Sequence, residues 1–139
     1  MSLAFNKFNS FVADVANGVF NLGADPLKLL LTDTQPSSAN SKRSDIVEIA
    51  GGNGYPTGGL TVPITQSSQT NGLYILIGSP VTLAAIATIP QFRYLVLYDP
   101  NSANSKLIGW WDNGVEINIQ GGTSYQVSFD QTNGILQIT

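Results

Sequence analysis

The chain has 139 residues, a length that fits one domain with one hydrophobic core. Six Lys and Arg stand against nine Asp and Glu, and the net charge of −3 leaves too few cations to neutralise many phosphates, so we expect no nucleic-acid partner. The chain has no Cys and no His, which excludes disulfides, zinc–thiolate sites and Ser-His-Asp or Cys-His catalysis.

The surface is expected to be polar but weakly charged. Charged residues make up 11% of the chain, whereas about 25% is typical of soluble domains. No stretch approaches the roughly 20 apolar residues that a membrane span requires. The chain also does not start with a basic region followed by a long apolar run, so we expect neither a membrane partner nor a secretory signal.

The N-terminal segment, residues 1–18, is predicted to be one short helix or an arm. Its apolar residues recur at helical spacing: Phe8, Phe11, Val12, Val15 and Ala16. For a helix, Asn9 or Ser10 would cap the start and Gly18 would follow the end. For an arm, Phe5, Phe8 and Phe11 would act as anchors on a partner.

The next part of the chain is predicted to alternate short strands with irregular loops. The apolar run Leu27–Thr32 predicts a buried strand, and the polar, Ser-rich residues 34–44 predict a surface loop. Residues 45–50 predict a second short strand, and the glycine-rich residues 51–59 predict an irregular turn. Residues 60–65 alternate around a proline, which favours an edge strand or a bulge.

The second half carries four tight-turn signals, namely Asn71-Gly72, Asn113-Gly114, Gly121-Gly122 and Asn133-Gly134. Between them lie short apolar or alternating segments: 73–77, 81–89, 92–98, 106–111, 115–120, 123–130 and 135–139. The run 92–98 predicts a central strand, whereas 81–89 alternates like a strand but has alanines that permit a helical turn. The last four segments predict a meander with one dry and one wet face.

About nine short strands and one helix predict an all-β fold. We expect an antiparallel β-sandwich or jelly-roll-like domain with one short N-terminal helix or arm. The chain is then a single domain, 1–139, in which the helix or arm occupies 1–18 and the sandwich occupies 27–139. Its polar faces carry few Lys or Glu, so edge strands are poorly protected against pairing with other chains.

The few chemically suggestive groupings have structural explanations. Asp112 and Glu116 could form a catalytic carboxylate pair, but a turn and a wet strand face account for both. Asp99, Asn101 and Asn104 form an oxygen-rich loop without the calcium-loop pattern, so we predict a turn held by their side chains. We therefore expect no enzyme activity, catalytic residue, metal, cofactor or small-molecule substrate.

The adjacent Trp110 and Trp111 would face opposite sides of a strand. One ring is then expected in the core. Either the other ring is exposed, as an interface anchor or a sugar-stacking platform, or both are covered by the protein's own fold.

The order of these segments resembles a group of small virion proteins of tailed bacteriophages. The similarity rests on AFNKFNSFVADVANG at 4–18, LLLTDTQP at 29–36, VEIAGGNGY at 47–55, FRYLVLYD at 92–99, LIGWWD at 107–112 and SFDQTNGILQIT at 128–139. These proteins are labelled as head, decoration or tail-fibre proteins. The resemblance implies a non-enzymatic part of the phage particle.

Within that group, the resemblance implies a capsid decoration, or cement, protein on the surface of the phage head. Its partners would be the major capsid protein and further copies of itself on the particle. Phe5, Phe8 and Phe11, with an exposed Trp110 or Trp111, would form the partner interface. The alternative is a tail-tip or tail-fibre domain that binds host surface glycan.

Overall fold

The computed structural model describes residues 4–139, which form an all-β fold with antiparallel sheets and one short α-helix. In chain order the elements are β1 (Asn6–Lys7), α1 (Asn9–Ala16), β2 (Leu27–Thr32), a 3₁₀ turn (Arg43–Asp45), β3 (Leu60–Val62), β4 (Ile64–Thr70), β5 (Leu73–Gly78), β6 (Val81–Ala84), β7 (Ile89–Tyr98), β8 (Leu107–Ile119), β9 (Ser124–Val127) and β10 (Leu136–Ile138). The predicted fold class is confirmed.

The strands form three antiparallel sheets in a sandwich-like arrangement. Five strands pair in the order β1-β8-β7-β2-β3, three in the order β10-β5-β4, and β6 pairs with β9. The main core lies where the inner face of the five-stranded sheet meets the smaller sheets, with Leu29 and Leu97 packed in the same cluster as Leu76 and Val127. A second cluster around Leu30 covers the other face. Both faces of β2 and β7 are therefore buried, as apolar central strands require.

The N-terminal segment contains both predicted alternatives, a short arm strand followed by a helix. β1 pairs with β8, and α1 then begins after Phe8, which occupies the N-cap position without a side-chain cap. The prediction that Asn9 or Ser10 caps the helix is therefore wrong. The Asn9 N–H donates instead to the Ser38 carbonyl at 2.9 Å, so a neighbouring loop satisfies that first-turn donor. Gly18 follows the helix with φ +71°, as predicted.

Pro63 marks the point at which the chain leaves one sheet for another. β3 is an edge strand of the five-stranded sheet, and β4 belongs to the three-stranded sheet. A bulge follows between Ile64 and Gln66 in the pairing of β4 with β5. Both predicted features, the edge strand and the bulge, are therefore present, because proline has no N–H to donate to a sheet ladder.

The strand predicted at 45–50 is wrong. After the 3₁₀ turn these residues are irregular, although the Ile49 N–H donates to the Leu31 carbonyl at 3.0 Å. Polar side chains replace the expected ladder here. The Thr32 hydroxyl donates to the Val47 carbonyl, and the Glu48 carboxylate accepts from the Gly58 N–H at 2.8 Å.

The Asn113-Gly114 pair does not form the predicted hairpin turn. β8 continues through it, and the register with β7 slips between the pairs Tyr94↔Asp112 and Phe92↔Ile117. The extra residues bulge out, with Gly114 at φ +87°. Val115 lies on this bulge and is 67% exposed, so the predicted segment 115–120 does not start on a dry face.

The predicted C-terminal meander is wrong as well. β9 pairs with β6, and β10 pairs with β5, so neither lies beside the strand that precedes it in the chain. The turns after β8 and β9 carry the chain between sheets instead of reversing it within one. The ambiguous segment 81–89 contains strand β6, and the alternating Val81, Leu83 and Ala85 are buried as expected of a strand.

Candidate interaction surface

The aromatic residues predicted as partner anchors mostly pack against one another. Phe8 has no exposed surface, and Phe11 and Trp111 are also buried. Phe5 is partly buried and lies with its ring centroid 5.2 Å from that of Trp111. These contacts hold the N-terminal segment on β8. As placed, Phe8, Phe11 and Trp111 would have to leave the core to reach a partner.

The two tryptophans do face opposite sides of β8, as predicted from their adjacency. Trp111 is 4% exposed and packs in the main core, with its ring 5.8 Å from Phe129. Trp110 is half-buried and lies 4.7 Å from the ring of Phe8 on the opposite face. Trp110 is therefore the tryptophan with surface left for a partner.

Three loops meet around a different apolar residue, Ile86. They comprise residues 51–58, 85–88 and 120–123, and we call them together the Ile86 surface. Ile86 is 83% exposed, more than any other large apolar side chain among residues 4–139. Because the loop is fixed, a partner that covers this apolar side chain would bury it without reordering the loop.

The loop that carries this isoleucine is fixed on both sides by hydrogen bonds. On one side, its backbone N–H donates to the Asn53 carbonyl at 2.9 Å, and Asn53 Nδ2 donates to the Thr88 carbonyl at 3.0 Å. On the other side, the Ala85 N–H donates to the Thr123 carbonyl at 2.9 Å and the Ala85 carbonyl accepts from the Gly122 N–H at 2.8 Å. The Ile86 surface is therefore pre-organised.

Glycines allow the loops of the Ile86 surface to approach this closely. A Cβ at Gly54 would lie 2.2 Å from the Ala84 carbonyl oxygen, and its φ of +104° also disfavours any other residue. A Cβ at Gly121 would lie 2.8 Å from the Ala87 Cα. The glycine-rich stretch that sequence analysis treated as an irregular turn is thus part of the packing of this surface.

A buried polar network anchors the 51–58 loop to the sheet. The Tyr55 hydroxyl donates to Glu48 Oε2 at 2.6 Å and accepts from the Leu31 N–H at 3.2 Å. Glu48 Oε1 also pairs with Arg43 Nη2 at 2.6 Å. Burial, and then the hydrogen bond to Glu48, raise the pKa of Tyr55 far above its ordinary value, so the phenol stays protonated.

The Ile86 surface carries no charge. No Asp, Glu, Lys or Arg lies between Glu48 and Arg93, and none lies in 120–123. The low overall charge was expected from composition, but this long uncharged stretch was not recognised from the sequence. That stretch is the signal from which an uncharged contact surface could have been predicted.

The carboxylates predicted as structural are engaged separately. Asp112 pairs with Arg93, and Asp112 Oδ1 lies 2.8 Å from Arg93 Nε. This ion pair, together with the hydrogen bond that the Gly114 N–H donates, lowers the pKa of Asp112. Glu116 lies near Asp33 instead, and that contact raises its pKa. Asp99 Oδ1 accepts from the Asn101 N–H at 2.8 Å, which confirms the predicted turn held by a side chain. Within residues 4–139 no three such groups converge as a metal site would require.

Two further observations complete the description of the chain. Among residues 4–139, no helix has both the length and the apolar character needed to cross a membrane. No protein-family model, curated protein or solved structure matches this chain.

Proposed function

We propose that this protein is a bacteriophage capsid decoration protein that binds the major capsid protein through the Ile86 surface. The observation that supports this proposal is the exposed Ile86 on a loop fixed by backbone hydrogen bonds. Together with the resemblance of the chain to small virion proteins, this surface suggests a contact made by shape and apolar burial. The buried phenylalanines then keep the N-terminal segment on the sheet.

Binding through this surface would need little reorganisation of the protein. Complete burial of an isoleucine side chain contributes roughly 1.5–3 kcal/mol. Because the loop is already held by hydrogen bonds, little ordering entropy is lost when a partner encloses it. A single contact of this kind is modest, but many copies on a closed shell stabilise it together, since each bound copy adds to the stability of the assembled state.

The proposal is tested by binding of the purified protein to heads that lack it, assembled from the major capsid protein of the same phage. The variant Ile86→Asp is expected to weaken binding at least tenfold, because a carboxylate cannot be buried without a partner. Val47→Asp is the matched control, since Val47 is also exposed but lies outside the Ile86 surface. Equal binding by both variants would refute the role of this surface.

The location on the head is tested separately by counting copies in fractionated particles. A decoration protein is expected in hundreds of copies with the shell fraction. A few copies in the tail fraction would instead support the alternative, a tail-tip or fibre domain that binds host glycan. That alternative depends on the accessible part of Trp110, and it predicts a sugar-array signal that Trp110→Ala abolishes.

A further inference from the structure

Strand β4 forms one open edge of the three-stranded sheet. It pairs with β5 on one side and has no strand on the other. Six of its seven residues are exposed. Beyond the bulge at Ile64/Gln66, residues 66–70 follow a regular register with β5, from the pair Gln66↔Ile77 to Thr70↔Leu73. The outer backbone groups of 66–70 therefore present a straight template for another strand.

The usual protection of an edge strand is missing from residues 66–70 of β4, beyond the bulge. Natural edges carry inward-facing charges, lysines, prolines or bulges that prevent pairing with another chain. Residues 66–70 read QSSQT and contain none of these. Because no charge lies anywhere between Glu48 and Arg93, two β4 strands could approach without like charges opposing each other.

The other edges of the sheets in residues 4–139 are less suited to pairing. β1, β3 and β10 have two or three residues each, and β6 and β9 have four, whereas β4 has seven. Helix α1 lies beside β10, with Val12 and Val15 lining the same groove as Ile138. Among residues 4–139, β4 is thus the one open edge of this length, so the edge that matches it is the β4 strand of a second copy.

We propose that two copies of this chain associate through β4, in antiparallel pairing centred on Ser68. Pairing centred on Ser68 includes all of the regular residues 66–70 and does not include the bulge. Gln66 of one copy then lies opposite Thr70 of the other, and the two three-stranded sheets become one six-stranded sheet. The contact is two-fold symmetric, so it closes at a dimer and does not continue into a fibre. The dimer does not depend on the capsid role proposed above.

The test is the molar mass of the full chain in solution, by light scattering and sedimentation over a range of concentrations. The wild-type protein is expected to dimerise. The double variant Gln66→Lys/Thr70→Lys places lysines opposite each other at two symmetric positions and is expected to raise the dimer dissociation constant about tenfold. The variant Gln66→Lys/Thr70→Glu places each lysine opposite a glutamate and is expected to restore dimerisation.

These two variants separate the proposed register from a general effect of charge. Positions 66 and 70 lie about 13 Å apart along one strand, so the new lysine and glutamate pair poorly within a chain. Gln126→Lys on β9, another exposed edge position, is the matched control and is expected to leave the dimer unchanged. A wild-type protein that stays monomeric, or two double variants with the same dissociation constant, would overturn the proposal. Circular dichroism establishes that each variant is folded.

Discussion

The carboxyl group of Asp25 lies beside the carboxyl group of Asp99, so the segment before β2 meets the turn after β7. Asp99 has no exposed surface. Burial, and then the neighbouring Asp25, raise the pKa of Asp99 to about 7, while the contact with Asp99 lowers the pKa of Asp25. The pair therefore carries one proton and one negative charge at mildly acidic pH.

This pair predicts that the protein becomes less stable as the pH rises from about 4 to about 8. A carboxyl group whose pKa is higher in the folded state favours folding below its unfolded pKa, and this contribution is lost as the pH rises through the folded pKa of about 7. Asp99→Asn keeps a donor toward Asp25 without a charge. It is expected to raise the free energy of unfolding at pH 8 by about 1–3 kcal/mol, as measured by urea denaturation.

The control for this prediction is the same variant at pH 4, close to the unfolded pKa of Asp99. There Asp99 is protonated in the folded protein and only partly ionised in the unfolded chain, so the difference in unfolding free energy between variant and wild-type protein is expected to be small. The lowered pKa of Asp25 acts in the opposite direction but only below about pH 4. If the variant and the wild-type protein differed in unfolding free energy by the same amount at pH 4 and at pH 8, the shared-proton arrangement would be contradicted.

Two glycines with positive φ are expected to differ in their tolerance of alanine. Gly114 has φ +87° and open space where a Cβ would be, so Gly114→Ala should cost about 1 kcal/mol through backbone strain alone. Gly59 has φ +104°, and its Cβ would lie 2.3 Å from the Leu29 carbonyl oxygen. Gly59→Ala should therefore cost several-fold more or prevent folding. Thermal denaturation of both variants measures the difference, and equal costs would show that the close approach at Gly59 relaxes freely.

The tyrosine of the buried polar network is expected to contribute more to stability than an exposed one. Tyr55→Phe removes the hydroxyl that bonds the Leu31 N–H and Glu48, and leaves both groups without that partner. We expect a loss of about 1–3 kcal/mol in urea denaturation. Tyr74→Phe is the control, because its hydroxyl bonds Ser67 at an exposed position and should cost little. A cost for Tyr55→Phe no larger than the control would argue against the network.

Replacing the buried tryptophan is expected to cost more stability than replacing the half-buried one. Trp111→Ala leaves a cavity in the main core and should cost about 3–5 kcal/mol of unfolding free energy. Trp110→Ala removes a half-buried ring that contacts Phe8, so its cost should be less than half as large. The comparison uses denaturant unfolding followed by far-UV circular dichroism, since each variant loses a fluorophore. A reversed order would contradict the burial of Trp111.

Local patterns in the sequence predict the elements that depend on local physics. The helix follows from the spacing of its apolar residues, and the strands β2 and β7 follow from their continuous apolar character. The hairpin at Asn71-Gly72 is also correctly predicted, with φ of +52° and +82° at the two residues. The same dipeptide at Asn113-Gly114 forms a bulge in a continuous strand, where the Gly114 N–H donates to the Asp112 carboxylate and that carboxylate also pairs with Arg93.

The rest depends on contacts between distant parts of the chain. No local sequence pattern predicts that β9 pairs with β6 and not with its neighbours in the chain. No local pattern predicts that the chain passes from one sheet to another at Pro63. The phenylalanines of the N-terminal segment show that sequence spacing is limited in the same way. Apolar residues recur at the same spacing whether their side chains pack in the protein's own core or against a partner. Ile86 lies in the segment 81–89, for which the sequence left a strand and a helical turn open, and its exposure follows from the hydrogen bonds of three separate loops.

The long stretch without Asp, Glu, Lys or Arg has a kinetic consequence. Long-range attraction cannot steer a partner toward a neutral surface, so association should proceed at the unassisted rate of roughly 10⁵–10⁶ M⁻¹s⁻¹. The same neutrality makes the bound state insensitive to ionic strength, because there are no opposing charges for salt to screen. Occupancy would then change little between dilute and concentrated electrolyte.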